Sequence, residues 1–220
     1  MRVVIAGAHG QVARRLGRLL AARGDTVVGI VRNPGHTADL EADGVEPAVL
    51  DLESAPVEEV AEVVRGADAV VFAAGAGPGS GEARKHTVDH GAAVLLAHAA
   101  ERAGVRPYLL VSSMGVEQAR HGTPRGTDPV FAVYLQAKLR AEDEILPRTA
   151  LDTVIVRPGR LTDEPGTGRV TLAHGVPYGE VPRDDVAAVL LALLDARKGN
   201  EVVELVSGDT PVADAVAALP

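Results

Sequence analysis

The chain contains no cysteine. Disulfides, thiol catalysis and thiolate metal centres are thereby excluded. Aromatic side chains make up only 2% of the 220 residues, and tryptophan is absent. The core must therefore be packed from Val, Leu, Ile and Ala, which suits a parallel sheet covered by helices on both faces. No apolar run is long enough to cross a bilayer. No basic-then-apolar leader precedes the first strand pattern, so a cytoplasmic protein without a membrane partner is expected. The formal net charge is −8 and no basic tract occurs, which disfavours nucleic acid as a main ligand. Histidines and carboxylates do not recur at metal-ligand spacing, so no metal is expected.

Apolar residues make up 46% of the chain, which excludes a disordered tail protein. The length suits one full-sized core, so a single domain over 1–220 is expected. Arg2 to Arg32 sets its theme. Val3, Val4, Ile5 and Ala6 have the length of a buried strand. Gly7 and Gly10 follow, then an amphipathic segment with Val12, Leu16, Leu19 and Leu20 on one face. Gly24 and Asp25 mark a turn, and Thr26 to Val31 is a second β-branched run. This is a βαβ unit with its glycines at the strand-to-helix turn. Gly7 lets the chain leave the strand as a Cβ would not permit. Gly10 lets the backbone approach a pyrophosphate, and Ala13 stands where a third glycine is usual. The helix start offers free N–H groups and positive charge to phosphates. His9, Gln11 and Val12 in the same turn join Gly7 and Gly10 as candidate dinucleotide contacts.

The end of the second strand is informative too. A carboxylate that grips the ribose 2′-hydroxyl of NAD usually stands there, about 20 residues beyond the glycines. Here the place holds Arg32. A guanidinium would pair with a 2′-phosphate, so NADP(H) is favoured over NAD, against the alternative of a solvated loop arginine. Val45 to Leu50 reads as strand three, ending at Asp51 and Leu52. Asp51 suits an adenine amino group and suits a helix start equally well. Val57 to Val64 reads as a helix and Ala69 to Ala73 as strand four, closed by the small residues Ala73, Ala74 and Gly75. Such residues let a dinucleotide lie across the strand ends. A mobile stretch is expected over Pro78 to Gly81. A helix over Thr87 to Ala103 follows, with Asp89, His90 and His98 on it; histidines on such a polar face are usually solvated. Tyr108 to Val111 reads as strand five, ending in Ser112 and Ser113. Beyond a polar loop over Glu117 to Pro129, Tyr134 and Lys138 share one face of a helix. Thr153 to Val156 reads as strand six. Leu161 to Arg169 has the glycines of a mobile flap, and a further helix begins near Asp184 and Asp185.

Several segments together resemble the short-chain dehydrogenase/reductase superfamily. They are GAHGQVA (7–13), VSSMG (111–115), YLQAK (134–138), VRPGRLTDEPGTGRV (156–170) and ELVSGDTP (204–211). The chain is most similar to the atypical single-domain members, often described as epimerases or reductases. The resemblance implies a doubly wound Rossmann-type α/β fold and a Ser–Tyr–Lys constellation. Tyr134 would be the acid/base at a carbonyl or carbinol, and Ser112 or Ser113 would hydrogen-bond its oxygen. Lys138 would hold the nicotinamide ribose and lower the phenol from its ordinary value of about 10. Arg157 and Pro158, in a turn after strand six, would line the nicotinamide pocket. An NADP(H)-dependent oxidoreductase acting on a small molecule is the leading expectation. A non-catalytic NADP(H) sensor and a sugar-nucleotide epimerase or dehydratase are the alternatives. The oligomeric state is left open.

Overall fold

The structure is a computed structural model that describes residues 1–77, 79–122 and 126–220. Pro78 of the expected mobile stretch and residues 123–125 of the expected polar loop lie outside the described residues.

Strand and helix alternate as the apolar pattern predicts. β1 (Arg2–Ala6) leads into α1 (Gln11–Ala22) and back to β2 (Thr26–Val31). α2 (Thr37–Ala42) precedes β3 (Glu46–Val49), and α3 (Val57–Val64) precedes β4 (Ala69–Phe72). The next crossover begins as a single turn, α4 (Gly81–Arg84). It widens into a π-helical segment over Lys85–Ala92 and ends as α5 (Ala93–Ala103). β5 (Pro107–Val111), α6 (Val116–Ala119), α7 (Pro129–Ile145) and β6 (Asp152–Pro158) follow. The last third holds β7 (Arg160–Thr162), β8 (Arg169–Ala173), β9 (Glu180–Pro182) and α8 (Arg183–Ala196). It closes with β10 (Glu201–Ser207), β11 (Thr210–Pro211) and α9 (Val212–Ala217).

Nine strands form one sheet in the order β11-β8-β10-β6-β5-β4-β1-β2-β3, and β7 pairs with β9 apart from it. Pairing is parallel from β3 across to β10, while β8 runs antiparallel to β10 and to β11. The chain winds outward from β1 in both directions, so the order reverses between β1 and β4. Successive side chains point to opposite faces, and each face is covered by helices. Val3 and Ile5 pack with Leu16 and Leu20 of α1 and Leu190 of α8. Val4 and Ala6 pack with Val60 of α3, Leu96 of α5 and Ile145 of α7.

Three expectations are corrected. Strand six continues through Arg157 and Pro158, because Glu204 and Leu205 of β10 pair with those two residues; they stand on a strand, not in a turn. The helix expected from Thr87 is π-wound until Ala92, which turns Asp89 into the interior. The expected flap is tied down: the Asp185 carboxylate accepts the N–H groups of Thr167 (3.0 Å) and Gly168 (2.8 Å).

Gly29 of β2 underlies the packing of the first βαβ unit. A Cβ there would stand 2.6 Å from Leu40 Cδ2, 2.7 Å from Ala8 Cβ and 2.8 Å from Val45 Cγ1. Gly29→Val should destabilise the fold by about 1–3 kcal/mol through overpacking, read as a lowered midpoint in urea unfolding.

Candidate functional site

The site is built where the sheet order reverses, the usual place for ligands in open α/β sheets. Gly7 leaves β1 at φ +75°, and a Cβ on it would lie 2.5 Å from Ala74 Cα. Only glycine permits that approach of two backbones. The N–H groups of Gly7 and Ala8 donate to the Ile30 carbonyl at 3.2 Å, and Gly10 N–H donates to the Gly7 carbonyl at 2.8 Å. Gly10 then starts α1 with no side chain taking the free N–H groups and no acidic residue in the first turn. A pyrophosphate fits such a helix start: the dipole and free donors favour an anion, and no carboxylate opposes it.

Two cavities meet here and share Ala73, Ala74, Gly75 and Ala76 as a common wall. The first, of about 390 Å³, runs toward the ends of β2 and β3 and is lined by Gly7, His9, Gly10, Arg32, Asp51 and Leu52. Arg32 is 52% exposed at its side chain, and its Nη1 meets Glu53 Oε2 at 2.8 Å. Glu53 also accepts Arg84 Nη2 (2.8 Å) and Thr87 Oγ1 (2.5 Å). Burial alone would raise the Glu53 carboxyl, but these bonds and the arginine charges hold it below the usual range. Asp51 Oδ1 accepts the Glu53 N–H at 3.0 Å, so one of its oxygens shapes its own turn while the residue still lines the cavity. The His9 ring stacks on His36 at 3.7 Å, and its Nε2 meets Asp39 Oδ2 at 2.7 Å. Asn33, His36, Glu53 and Arg84 also line this cavity and went unnoticed in the sequence. They come from separate turns that carry no common spacing.

The second cavity, of about 900 Å³, is lined by Gln11, Val12, Val111, Ser112, Tyr134, Lys138 and Pro158, with Val130, Phe131 and Leu161. Asp128 caps α7 by accepting the Phe131 N–H at 2.9 Å, and Tyr134 and Lys138 stand one turn apart on the helix face turned to the cavity. Lys138 is buried. Its Nζ donates to the carbonyls of Val111 (2.9 Å) and Ala74 (3.4 Å), and lies 3.6 Å from Asp89 Oδ1. Asp89 is wholly buried. Its Oδ2 accepts the Ala76 N–H at 3.2 Å, whereas Oδ1 has no hydrogen-bond partner among the described residues. Burial lowers the Lys138 ammonium, and Asp89 opposes that shift. Tyr134 keeps part of its surface open to the cavity, yet burial, aided by the Asp89 charge, pushes its phenol up to about 12. A hydrogen-bonding influence from Ser113 pulls it the other way. The phenol thus lies above its ordinary value, where the resemblance implies a lowered one, because burial and then the Asp89 charge disfavour the phenolate.

The serines and Arg157 part company. The Ser112 hydroxyl donates to the buried Glu142 carboxylate, whereas the Ser113 hydroxyl donates to the Met114 carbonyl at 3.1 Å. Arg157 lines neither cavity. Its guanidinium is held by Glu142, with Nε 3.1 Å from Oε1, and by Glu117 at 2.8 Å. Its assignment to the nicotinamide pocket is corrected: it braces β6 against α6 and α7. Pro158 does face the second cavity. Lys85 and Asp89 were missed as site residues, since helical periodicity gave no sign of the π-wound turn that brings them inward.

These observations agree with comparisons to known proteins. A family model described as NAD(P)H-binding matches residues 7–197. YhfK of Bacillus subtilis, named an uncharacterised sugar epimerase, is 37% identical over the whole of both chains. A Bacillus halodurans structure bearing a provisional NAD-dependent epimerase/dehydratase name is 35% identical, with a TM-score of 0.89 over all of both chains. ChuY, an anaerobillin reductase of Escherichia coli O157:H7, is 26% identical with a TM-score of 0.80, covering 95% of this chain and 98% of that one. The glycine turn, the reversal of the sheet order and the match across most of the length lead to one conclusion: the chain belongs to the NAD(P)H-binding family, with a Rossmann-type fold.

Proposed function

We propose that the protein is an NADP(H)-dependent oxidoreductase of the atypical short-chain type that reduces the carbonyl group of a small molecule. The observation that carries this reading is the position of Tyr134 and Lys138 on the wall of a large cavity that joins the glycine-turn cavity across Ala73–Ala76. Gly7, Gly10 and the start of α1 would hold the pyrophosphate, Arg32 the 2′-phosphate, and Lys138 the nicotinamide ribose. When bound, the cofactor supplies the hydride.

The protein's own residues supply the proton and the positioning. A phenol held near 12 stays protonated at neutral pH. Carbonyl reduction requires such a group, an acid that donates as negative charge develops on oxygen. Ser113 steadies the phenol, and the Lys138–Asp89 pair sets the charge beneath it. The wall carries the apolar residues Val12, Val111, Val130, Phe131, Pro158 and Leu161 beside the polar Gln11, Lys85, Asp128 and Arg183. Its apolar part suits the body of a small carbonyl compound. A reducing, cytoplasmic setting fits NADP(H) dependence and a chain without cysteine. Among the described residues no helix is long and apolar enough to cross a membrane.

Fluorescence titration with NADPH and NADH, followed by a panel of aldehydes, ketones and quinones, tests this reading. Binding with oxidation of the cofactor by a panel member supports it, and failure of both cofactors to bind overturns it. Arg32→Ala should weaken NADPH about tenfold or more, the loss of one charge-assisted contact, and leave NADH within about twofold; equal losses would sink the 2′-phosphate assignment. Tyr134→Phe should lower kcat by about 10²–10⁴-fold with NADPH affinity unchanged; undiminished turnover would remove the acid role.

A further inference from the structure

Among the described residues, the second cavity holds one cation that no carboxylate pairs with. Lys85, at the start of the π-wound segment, lines the cavity and is only 6% exposed. Its Nζ donates to the Gly77 carbonyl at 2.8 Å, and among the described residues no carboxylate lies within ion-pair distance of it. The other charges of the wall are accounted for. Asp89 pairs with Lys138, Arg183 meets Asp163 at 2.8 Å, and Asp128 caps α7 at the exposed rim. An ammonium has three donors, and one carbonyl satisfies one of them. A buried charge left in that state is costly unless an opposite charge arrives with a ligand.

We propose that Lys85 anchors a carboxylate carried by an otherwise apolar substrate in the second cavity. The proposal rests on the reading of that cavity as the substrate site. The apolar wall takes the body of the molecule, and Lys85 takes its anionic end. Lys85 Nζ lies 5.5 Å from the centre of the Tyr134 ring, so an anion held there brings the rest of the molecule against the phenol that handles the proton. The substrate class is a carboxylate-bearing, largely apolar carbonyl compound. Lys85 determines specificity; the proton transfer itself belongs to Tyr134.

The test uses two rigid probes that differ only in charge, 2-naphthoate and 2-naphthamide, titrated calorimetrically into the NADPH-saturated protein. The wild type should prefer naphthoate by about tenfold, as one charge-assisted contact implies. Lys85→Met and Lys85→Gln should both lose the preference, Lys85→Arg should keep it, and NADPH affinity should be the same in all three, which also reports that they fold. Equal binding of the two probes by the wild type, no binding of naphthoate, or a preference that survives Lys85→Met or Lys85→Gln would overturn the anchor. Should NADPH fail to bind the wild type, the proposed reductase falls instead, and the naphthoate preference is then read on the protein alone.

Discussion

The contact between Gly7 and Ala74 is the constraint on which the site depends. β1 and β4 are adjacent parallel strands, and the chain leaves both at the same end of the sheet. With the ideal Cβ of Gly7 only 2.5 Å from Ala74 Cα, any other residue would force the two strand ends apart. Because they stay together, the start of α1 faces outward beside the Ala73–Ala76 segment. That segment then serves as the wall common to both cavities. A dinucleotide laid across it would have phosphates at the helix start and its two rings in separate cavities. The small residues are thus required by the distance between backbones, and the helix dipole gives the opening its preference for an anion.

Behind α7 lie two buried charge systems with different tasks. Lys138 and Asp89 approach to 3.6 Å beneath the cavity, and Asp89 Oδ1 gains no hydrogen bond there among the described residues. Ser112, Glu142 and Arg157 form the other, joined from the surface by the exposed Glu117, and in it every charged group has a directional partner. Buried pairs contribute little net stability, though removing one partner is costly. The second system is read as a brace that keeps β5, β6, α6 and α7 in register. The first bears on Tyr134. Burial, then the charges of Asp89 and, from the second system, Glu142 disfavour a phenolate there.

Much of the fold was legible because its signals are local. The run from Val3 to Ala6, the glycine turn and the amphipathic face of α1 occupy neighbouring positions, and each obeys a short-range rule. Tyr134 and Lys138 share a face because four residues make about one turn. Arg32 was found at a fixed offset from the glycines, yet its partner Glu53 was not, since that ion pair is set by how β2 and β3 lie together. Ordinary helical spacing gives Asp89 no role, because it contains no sign of the π winding that rotates it inward. Arg157 was placed in a turn because the extension of β6 depends on β10, a strand nearly fifty positions later; the Glu204–Arg157 pairing sets it.

By itself, then, the sequence determined the order of strands and helices, the glycine turn at the head of the sheet and the Tyr134–Lys138 spacing. These follow from backbone sterics and side-chain periodicity acting over a few residues. The tertiary structure alone decided which charges meet in the interior: Ser112 with Glu142, 30 positions apart, and Lys138 with the Ala74 carbonyl, 64 apart. It also decided that Lys85 faces the cavity with no carboxylate beside it among the described residues. Such pairings arise only when the sheet brings distant segments together, in a low-dielectric interior where a charge must find a partner or remain costly.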